Sequence, residues 1–205
     1  MATEATPIRR LEAIVLAAGS GSRFGGRKLL APFAGHPLIE GALGAALGGP
    51  VRSVTLVTGA DSEAVAEAAR QAVTRLGQSA RLRIVHAEDH AEGMGASLRT
   101  GVGALPADAE GVFVLLGDMP RTPAGLLDRL AAALAAGAPA AAPQFQGRRG
   151  NPALIGRALF PDLLALTGDR GARAILDRLG PDLAIVEAPD GGVLFDVDRP
   201  QDLAR

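Results

Sequence analysis

The 205-residue chain is predicted to be a single α/β domain, built on a mostly parallel sheet with helices on both faces. Three observations predict it. Residues 13–17 (Ala-Ile-Val-Leu-Ala) are apolar without alternation, as a central parallel strand covered on both faces must be. Short runs rich in apolar and β-branched residues then alternate with helical patterns in the order β-α-β-α-β-α-β-α-β, which right-handed crossovers turn into a parallel sheet. Finally, 48% hydrophobic residues in a chain of this length suffice for one full core, and no repeat or long linker calls for a second domain.

The first strand breaks at Gly19 into a glycine-rich loop. Residues 37–47 read as a helix with Pro37 near its first turn, and 53–58 as the second strand. Asp61 or Ser62 can cap the next helix, whose apolar stripe is Ala64, Val65, Ala68, Ala69, Ala72, Val73 and Leu76. Residues 82–86 form a third strand, 93–101 open a helix rich in small residues, and 112–116 form a fourth strand. Thr122 caps a helix over 123–136, and 138–143 form a fifth strand. Beyond it, 144–151 read as a polar loop, 152–155 as a short strand, and 159–167 and 168–179 as helices. Residues 183–187 and 193–196 flank Pro189-Asp-Gly-Gly and so predict a hairpin.

Composition narrows the function classes. Cations number 21 against 22 anions, so no global field attracts nucleic acid and no basic patch addresses a membrane. Aromatics make up 3% with no Trp or Tyr, which removes the stacking platform of single-strand binders. The chain has no cysteine, and with it go disulfides, thiolate metal sites and a thiol nucleophile. Residues 1–10 do not read as a secretory leader, and 126–142 carry Asp128, Arg129, Gly137 and Pro139, unlike a membrane span. A cytoplasmic protein is expected.

The loop after the first strand carries Arg23, Arg27 and Lys28 among Gly19, Gly21, Gly25 and Gly26. Backbone N–H groups in such a loop can converge on an anion, and the cations add fixed positive charge that a merely structural turn does not need. The bland alternative is a tight βα turn. Gly19-x-Gly21-x-x-Phe24 departs from the dinucleotide fingerprint at its third glycine, and the Walker pattern fails because Leu29 follows Lys28. At the end of the strand 112–116, Asp118 is a single carboxylate at the carboxyl edge, where ligands bind in open α/β sheets. Facing a phosphate loop it is suited to Mg²⁺, which prefers one or two carboxylates plus phosphate oxygens; its alternative is a turn cap. Asp196 and Asp198, if extended, project to one side and either can supply a second ligand, though Asp before Arg-Pro is also a common turn. Asp202 belongs to a final helical turn. Ser97, in a stretch of small residues, can meet a base edge or serve tight packing. Arg148 and Arg173 can bind an acceptor phosphate or stay solvated. His36, His86 and His90 have no ligand spacing, and no G-x-S-x-G elbow supports a hydrolase.

Five separated motifs, spanning nearly the whole chain in one order, resemble the molybdenum cofactor cytidylyltransferase family of nucleotidyltransferases. They are Leu16-Ala-Ala-Gly-x-Gly-x-Arg23-x-Gly-x-x-Lys28-Leu with Gly35-His-Pro37-Leu-Ile, Gly93-Met-Gly-Ala-Ser97-Leu, Gly117-Asp118-Met-Pro120, Gly150-Asn151-Pro152 with Gly168-Asp169-Arg-Gly-Ala-Arg173, and Asp196-Val-Asp198-Arg-Pro-Gln-Asp202-Leu. The cytidylyl branch resembles this chain in Leu-Ala-Ala-Gly, where the guanylyl branch shows Leu-Ala-Gly-Gly.

The resemblance implies a Rossmann-like three-layer sandwich of the nucleotide-diphospho-sugar transferase kind. Residues 1–143 would be the nucleotide-binding half and 144–205 the acceptor-binding half. It implies Mg²⁺-dependent transfer of CMP from CTP to the phosphate of molybdopterin, with Arg23, Lys28 and Asp118 catalytic and Asp118, Asp196 and Asp198 holding metal. Leu16, Ala17, Ala18, Gly19, Gly21, Arg23, Lys28, Gly93 and Ser97 would meet the nucleotide, and Arg148, Asn151, Asp169 and Arg173 the acceptor. A molybdenum enzyme receiving the product is an implied partner. Two rivals stay open: a same-fold enzyme using GTP or another NTP and acceptor, and a non-catalytic carrier of the cofactor.

Overall fold

The seven residues of β1 (Leu11–Ala17) are all buried, and their alternation divides the core in two. Leu11, Ala13, Val15 and Ala17 face a cluster built with α1 (Ile39–Leu47), α2 (Ser62–Arg75) and α4 (Leu126–Ala135). Ile14 and Leu16 face a second cluster with α3 (Met94–Gly103), α5 (Phe160–Leu164) and α6 (Arg173–Leu179). Three layers result, as the unbroken apolar run requires. The computed structural model describes residues 10–204, so the reading of the chain's start as lacking a leader lies outside the described residues. No helix among them is long and apolar enough to cross a membrane.

A small hairpin, β2 (Pro32–Phe33) with β3 (His36–Pro37), follows the glycine loop. The main sheet adds β4 (Val54–Thr58), β5 (Leu82–His86), β6 (Gly111–Leu116), β7 (Ala140–Phe145), β8 (Arg148–Arg149), β9 (Ala153–Gly156) and β10 (Leu183–Glu187). Its order is β10-β7-β9-β6-β1-β4-β5, with β8 paired to β7. The pairs around β1 are parallel, β4 and β6 flanking it, so their carboxyl ends share one rim. β9 is antiparallel between β6 and β7, which makes the sheet mixed at that point.

Several expectations are corrected. The hairpin of 183–187 with 193–196 does not form, since β10 runs parallel to β7. The Asp190 side chain accepts from Gly192 N–H and starts a 3-10 turn at Gly191–Leu194 instead. Pro37 belongs to β3, so its helix starts at Ile39. Neither Asp61 nor Ser62 caps α2 through its side chain, and the Ser62 hydroxyl meets Thr58 at 2.8 Å. Thr122 does not cap α4, which begins at Leu126 after Gly125. Leu76 lies past the buried stripe and is exposed. The polar loop after the fifth strand is a tight hairpin of β7 and β8.

One acid is locked in the core. The Glu12 side chain is 1% exposed. It accepts from Arg52 Nε at 2.7 Å, Ser53 N–H at 3.0 Å and Ser53 Oγ at 2.6 Å. Glu12→Ala strands these donors, and a loss of roughly 3 kcal/mol in unfolding free energy is expected, read by urea denaturation. Arg52 also donates to both Asp108 carboxylate oxygens at 2.9 Å, and an unchanged midpoint would show that Asp108 alone satisfies it.

Candidate active site

The shared rim of β1 and β6 delivers two short segments side by side: Ala18-Gly19-Ser20 and Gly117-Asp118. A cavity of about 560 Å³ lies between them and the start of α3, lined by Leu16, Ala18, Gly19, Ser20, His90, Gly93, Met94, Ser97, Leu116, Asp118 and Asp169 among others. Ser97 is buried at the helix start. At Gly93, φ is +114°, and a Cβ there would lie 2.4 Å from the Asp169 carboxylate. Only glycine lets the 168–169 loop come this close to the cavity.

The glycine loop is more self-contained than a phosphate cradle requires. The amides of Phe24 and Gly26 donate to the Gly21 carbonyl at 2.9 and 3.1 Å, and that of Gly25 to Ser22 at 3.2 Å. These three amides serve the loop, while residues 18–20 face the cavity. What the loop presents is Lys28. Its Nζ donates to Asp118 Oδ2 at 2.6 Å and stands 3.5 Å from Asp198 Oδ1, with a side chain only 13% exposed. Arg23 meets Asp198 Oδ2 at 3.1 Å from an exposed position.

The C-terminal segment closes the group. Val197 N–H donates to the Asp118 carbonyl at 3.1 Å, and the Asp202 carboxylate accepts from Asp198 and Arg199 N–H at 3.2 and 2.8 Å. Asp202 is thus part of the final turn, as expected, and also the cap that orients Asp198. Partial loss of hydration, then the charges of Asp198 and Asp118, push the Asp196 carboxyl above its ordinary value. Its ionised form is the costly one until a cation arrives. Among the described residues, no three His, Cys, Asp or Glu side chains gather closely enough to hold a metal by themselves. The expected ligands, Asp118 with Asp196 or Asp198, therefore form no closed cage by themselves. Lys28 lies between Asp118 and Asp198, as like charges at short range demand.

A second cavity, of about 260 Å³, adjoins the first and shares Leu16, Met94, Leu116 and Asp169 with it. Its walls are mostly apolar, with Leu98, Val114 and Leu176, and its polar groups are Arg149, Asn151, Asp169 and Arg173. The expected Arg148 does not line it and is replaced by Arg149, whose Nη2 meets Asp177 at 2.6 Å. Successive residues of a strand face opposite ways, so only one of the pair can turn inward. Among the other expected residues, Ala17 is buried in the opposite core and lines neither cavity. Gly21 packs beside Lys28 rather than lining the cavity. His90, Ser20 and Arg149 carried no signal of a site role in the sequence, whereas Met94 lay inside the motif that begins at Gly93.

A strand-end carboxylate, a glycine loop and a lysine between them are features of phosphate-handling enzymes, and the family comparison decides which. Residues 13–183 match the model of the MobA-like NTP transferase domain. The chain belongs to this family. Among curated relatives of this NTP transferase domain, nicotine blue oxidoreductase of Paenarthrobacter nicotinovorans is 30% identical over 201 residues, 94% of each chain. Purine catabolism protein PucB of Bacillus subtilis is 31% identical over 194 residues, 92% of each. Rv0371c of Mycobacterium tuberculosis has the same fold, with a TM-score of 0.81 over 97% of both chains at 24% identity. Its complex with manganese scores 0.74 over 96% of this chain and 97% of the other, also at 24% identity. The matched stretch of the NTP transferase domain includes Lys28, Asp118 and Asp169 and ends before Asp196.

Proposed function

We propose that this NTP transferase domain is a cytoplasmic, Mg²⁺-dependent cytidylyltransferase that moves CMP from CTP to the terminal phosphate of molybdopterin. The observation that carries the proposal is the pair of adjoining cavities, one lined by Asp118, whose carboxylate meets Lys28 behind it, and the other carrying Arg149 and Arg173. That layout suits a triphosphate donor and an anionic acceptor that must meet at a common wall. The choice of CTP and of molybdopterin rests on the motif resemblance, and the Mg²⁺ on the carboxylates.

Asp118, with Asp198 or Asp196, would hold the ion, since Mg²⁺ takes one or two carboxylates and completes its shell with phosphate oxygens and water. Bound there, it would supply charge neutralisation across the phosphates. In the reaction an acceptor phosphate oxygen forms a bond to the α-phosphorus while the α–β bridging bond breaks, and pyrophosphate carries away the electron pair. This chemistry needs positioning and charge more than a side-chain nucleophile. Lys28 and Arg23 stabilise charge growing on the α-phosphate and the leaving group. Arg173 and Arg149 hold the acceptor's anion, and the apolar walls of Leu98, Val114 and Leu176 take its ring system. Asn151 offers an amide to a polar ring edge. The product would pass to a molybdenum enzyme.

Calorimetric titration with CTP, GTP, ATP and UTP, each with Mg²⁺, tests the base and the metal together. Micromolar CTP binding that collapses without Mg²⁺ is expected. Preference for another nucleotide would move the enzyme to a different branch of the family. Since one full-length relative is named an oxidoreductase, NADPH belongs in the same series, and its binding in place of CTP would overturn the transferase reading. A protein that takes molybdopterin without consuming nucleotide would be a carrier.

A further inference from the structure

Asp196 and Asp198 sit on a segment that like-charge repulsion from Asp118 should drive away, yet the segment is fastened to the Asp118 loop. Three contacts fasten it. The Val197 N–H donates to the Asp118 carbonyl at 3.1 Å. Gly192 lies against the Arg121 carbonyl so closely that a Cβ would stand 1.9 Å from that oxygen. The Arg121 guanidinium carbon lies 4.0 Å from the centre of the Phe195 ring, the residue immediately before Asp196.

Arg121 also reaches a third element. Its guanidinium carbon lies 5.4 Å from the centre of the Phe33 ring, in the hairpin that follows Lys28. The two rings are 6.1 Å apart and tilted by 37°, so the cation fills the wedge between them. A planar guanidinium is attracted to both ring faces, an arrangement an ammonium reproduces poorly. The other side of the Asp118–Arg121 loop is fixed by α1, where a Cβ on Gly41 would meet Pro120 at 2.6 Å. The elements that carry Lys28, Asp118 and Asp196–Asp198 therefore meet at one side chain.

We infer that Arg121 is a positioning residue, which by stacking on Phe195 and Phe33 sets the separation of Asp118 from Asp196 and Asp198 and so the affinity of the site for a divalent cation. The inference rests on the metal reading proposed above. It differs from a purely structural role in acting on metal affinity rather than on stability.

The probe is Mn²⁺ alone, titrated into the full chain and followed by the electron paramagnetic resonance signal of the free ion. Arg121→Ala is expected to weaken Mn²⁺ about 10- to 100-fold, the usual effect of losing a residue that orients metal ligands. Phe195→Leu, which keeps apolar bulk but removes the ring face, is expected to do the same, and Arg121→Lys to fall between. The Tm of each variant is measured alongside, because a structural prop would lower Tm and leave the affinity of the folded protein unchanged. Mn²⁺ affinity within twofold of wild type in Arg121→Ala overturns the inference; if that variant fails to fold, Phe195→Leu is judged by the same criterion. Asp118→Asn separates the two levels. Binding lost in Asp118→Asn but intact in Arg121→Ala removes the clamp and keeps the site, whereas a wild type that takes no Mn²⁺ removes the site and the clamp with it.

Discussion

Asp118→Ala is expected to reduce metal-dependent nucleotidyl transfer by about 10³-fold or more, the scale of losing several kcal/mol of charge stabilisation at the reacting phosphates. The size of the effect follows from where the residue sits. Asp118 ends an apolar strand at the rim of the first cavity, and its carboxylate is the one that both lines that cavity and contacts Lys28. Asp196 and Asp198 cannot replace it, because they approach from a different segment and neither lines that cavity. The fold should survive. The Asp118 side chain is 24% exposed, and the Val197 contact is made by its backbone carbonyl, which alanine retains. Turnover with and without Mg²⁺, set beside a thermal melt, checks both halves. Full turnover in a folded Asp118→Ala protein would remove the metal role from this residue.

Lys28→Ala is expected to lower the rate by roughly 10²-fold or more, the range seen when one preorganised charge is removed from a transition state. Burial raises the value of this charge, since an ammonium 13% exposed acts through a lower effective dielectric than one in water. The same substitution should act oppositely on the resting site. With its ammonium gone from between Asp118 and Asp198, the carboxylates lose a close neutraliser and keep the exposed Arg23, and Mn²⁺ binding is expected to hold or tighten. Single-turnover kinetics and a Mn²⁺ titration on one preparation measure both. A rate equal to wild type would show that the loop's cations do not reach the reacting phosphates. A rate that falls together with metal affinity would mean that Lys28 orders the carboxylates instead of stabilising transferred charge.

Lys28 and Asp118 were legible as a pair because each stands at the end of an unmistakable local pattern: an apolar strand into a glycine loop, and an apolar strand into Gly-Asp-Met-Pro. Arg149 was not. Two adjacent arginines in a polar stretch look alike until a hairpin turns one inward, and nothing in the sequence reports the pairing of β7 with β8. Arg121 was silent for a similar reason. Its two ring partners lie at positions 33 and 195, and a contact between residues so far apart has no local signature.

By itself, the sequence determined what depends on near neighbours along the chain: the fully buried β1, the alternation of strands and helices, the breaks at glycine, and the family motifs. Apolar spacing and turn chemistry act over a few residues, so they can be read from a few residues. Tertiary structure alone decided what depends on strand pairing and on charge. It inserted β9 antiparallel between β6 and β7, ran β10 parallel to β7 in place of a hairpin, and pressed Gly192 against the loop after Asp118. It also put Lys28 between Asp118 and Asp198. The physical reason is common to all of these. Each is a compromise among groups distant in sequence, settled by which edges remain to be paired and which charges can be neutralised once the core has closed.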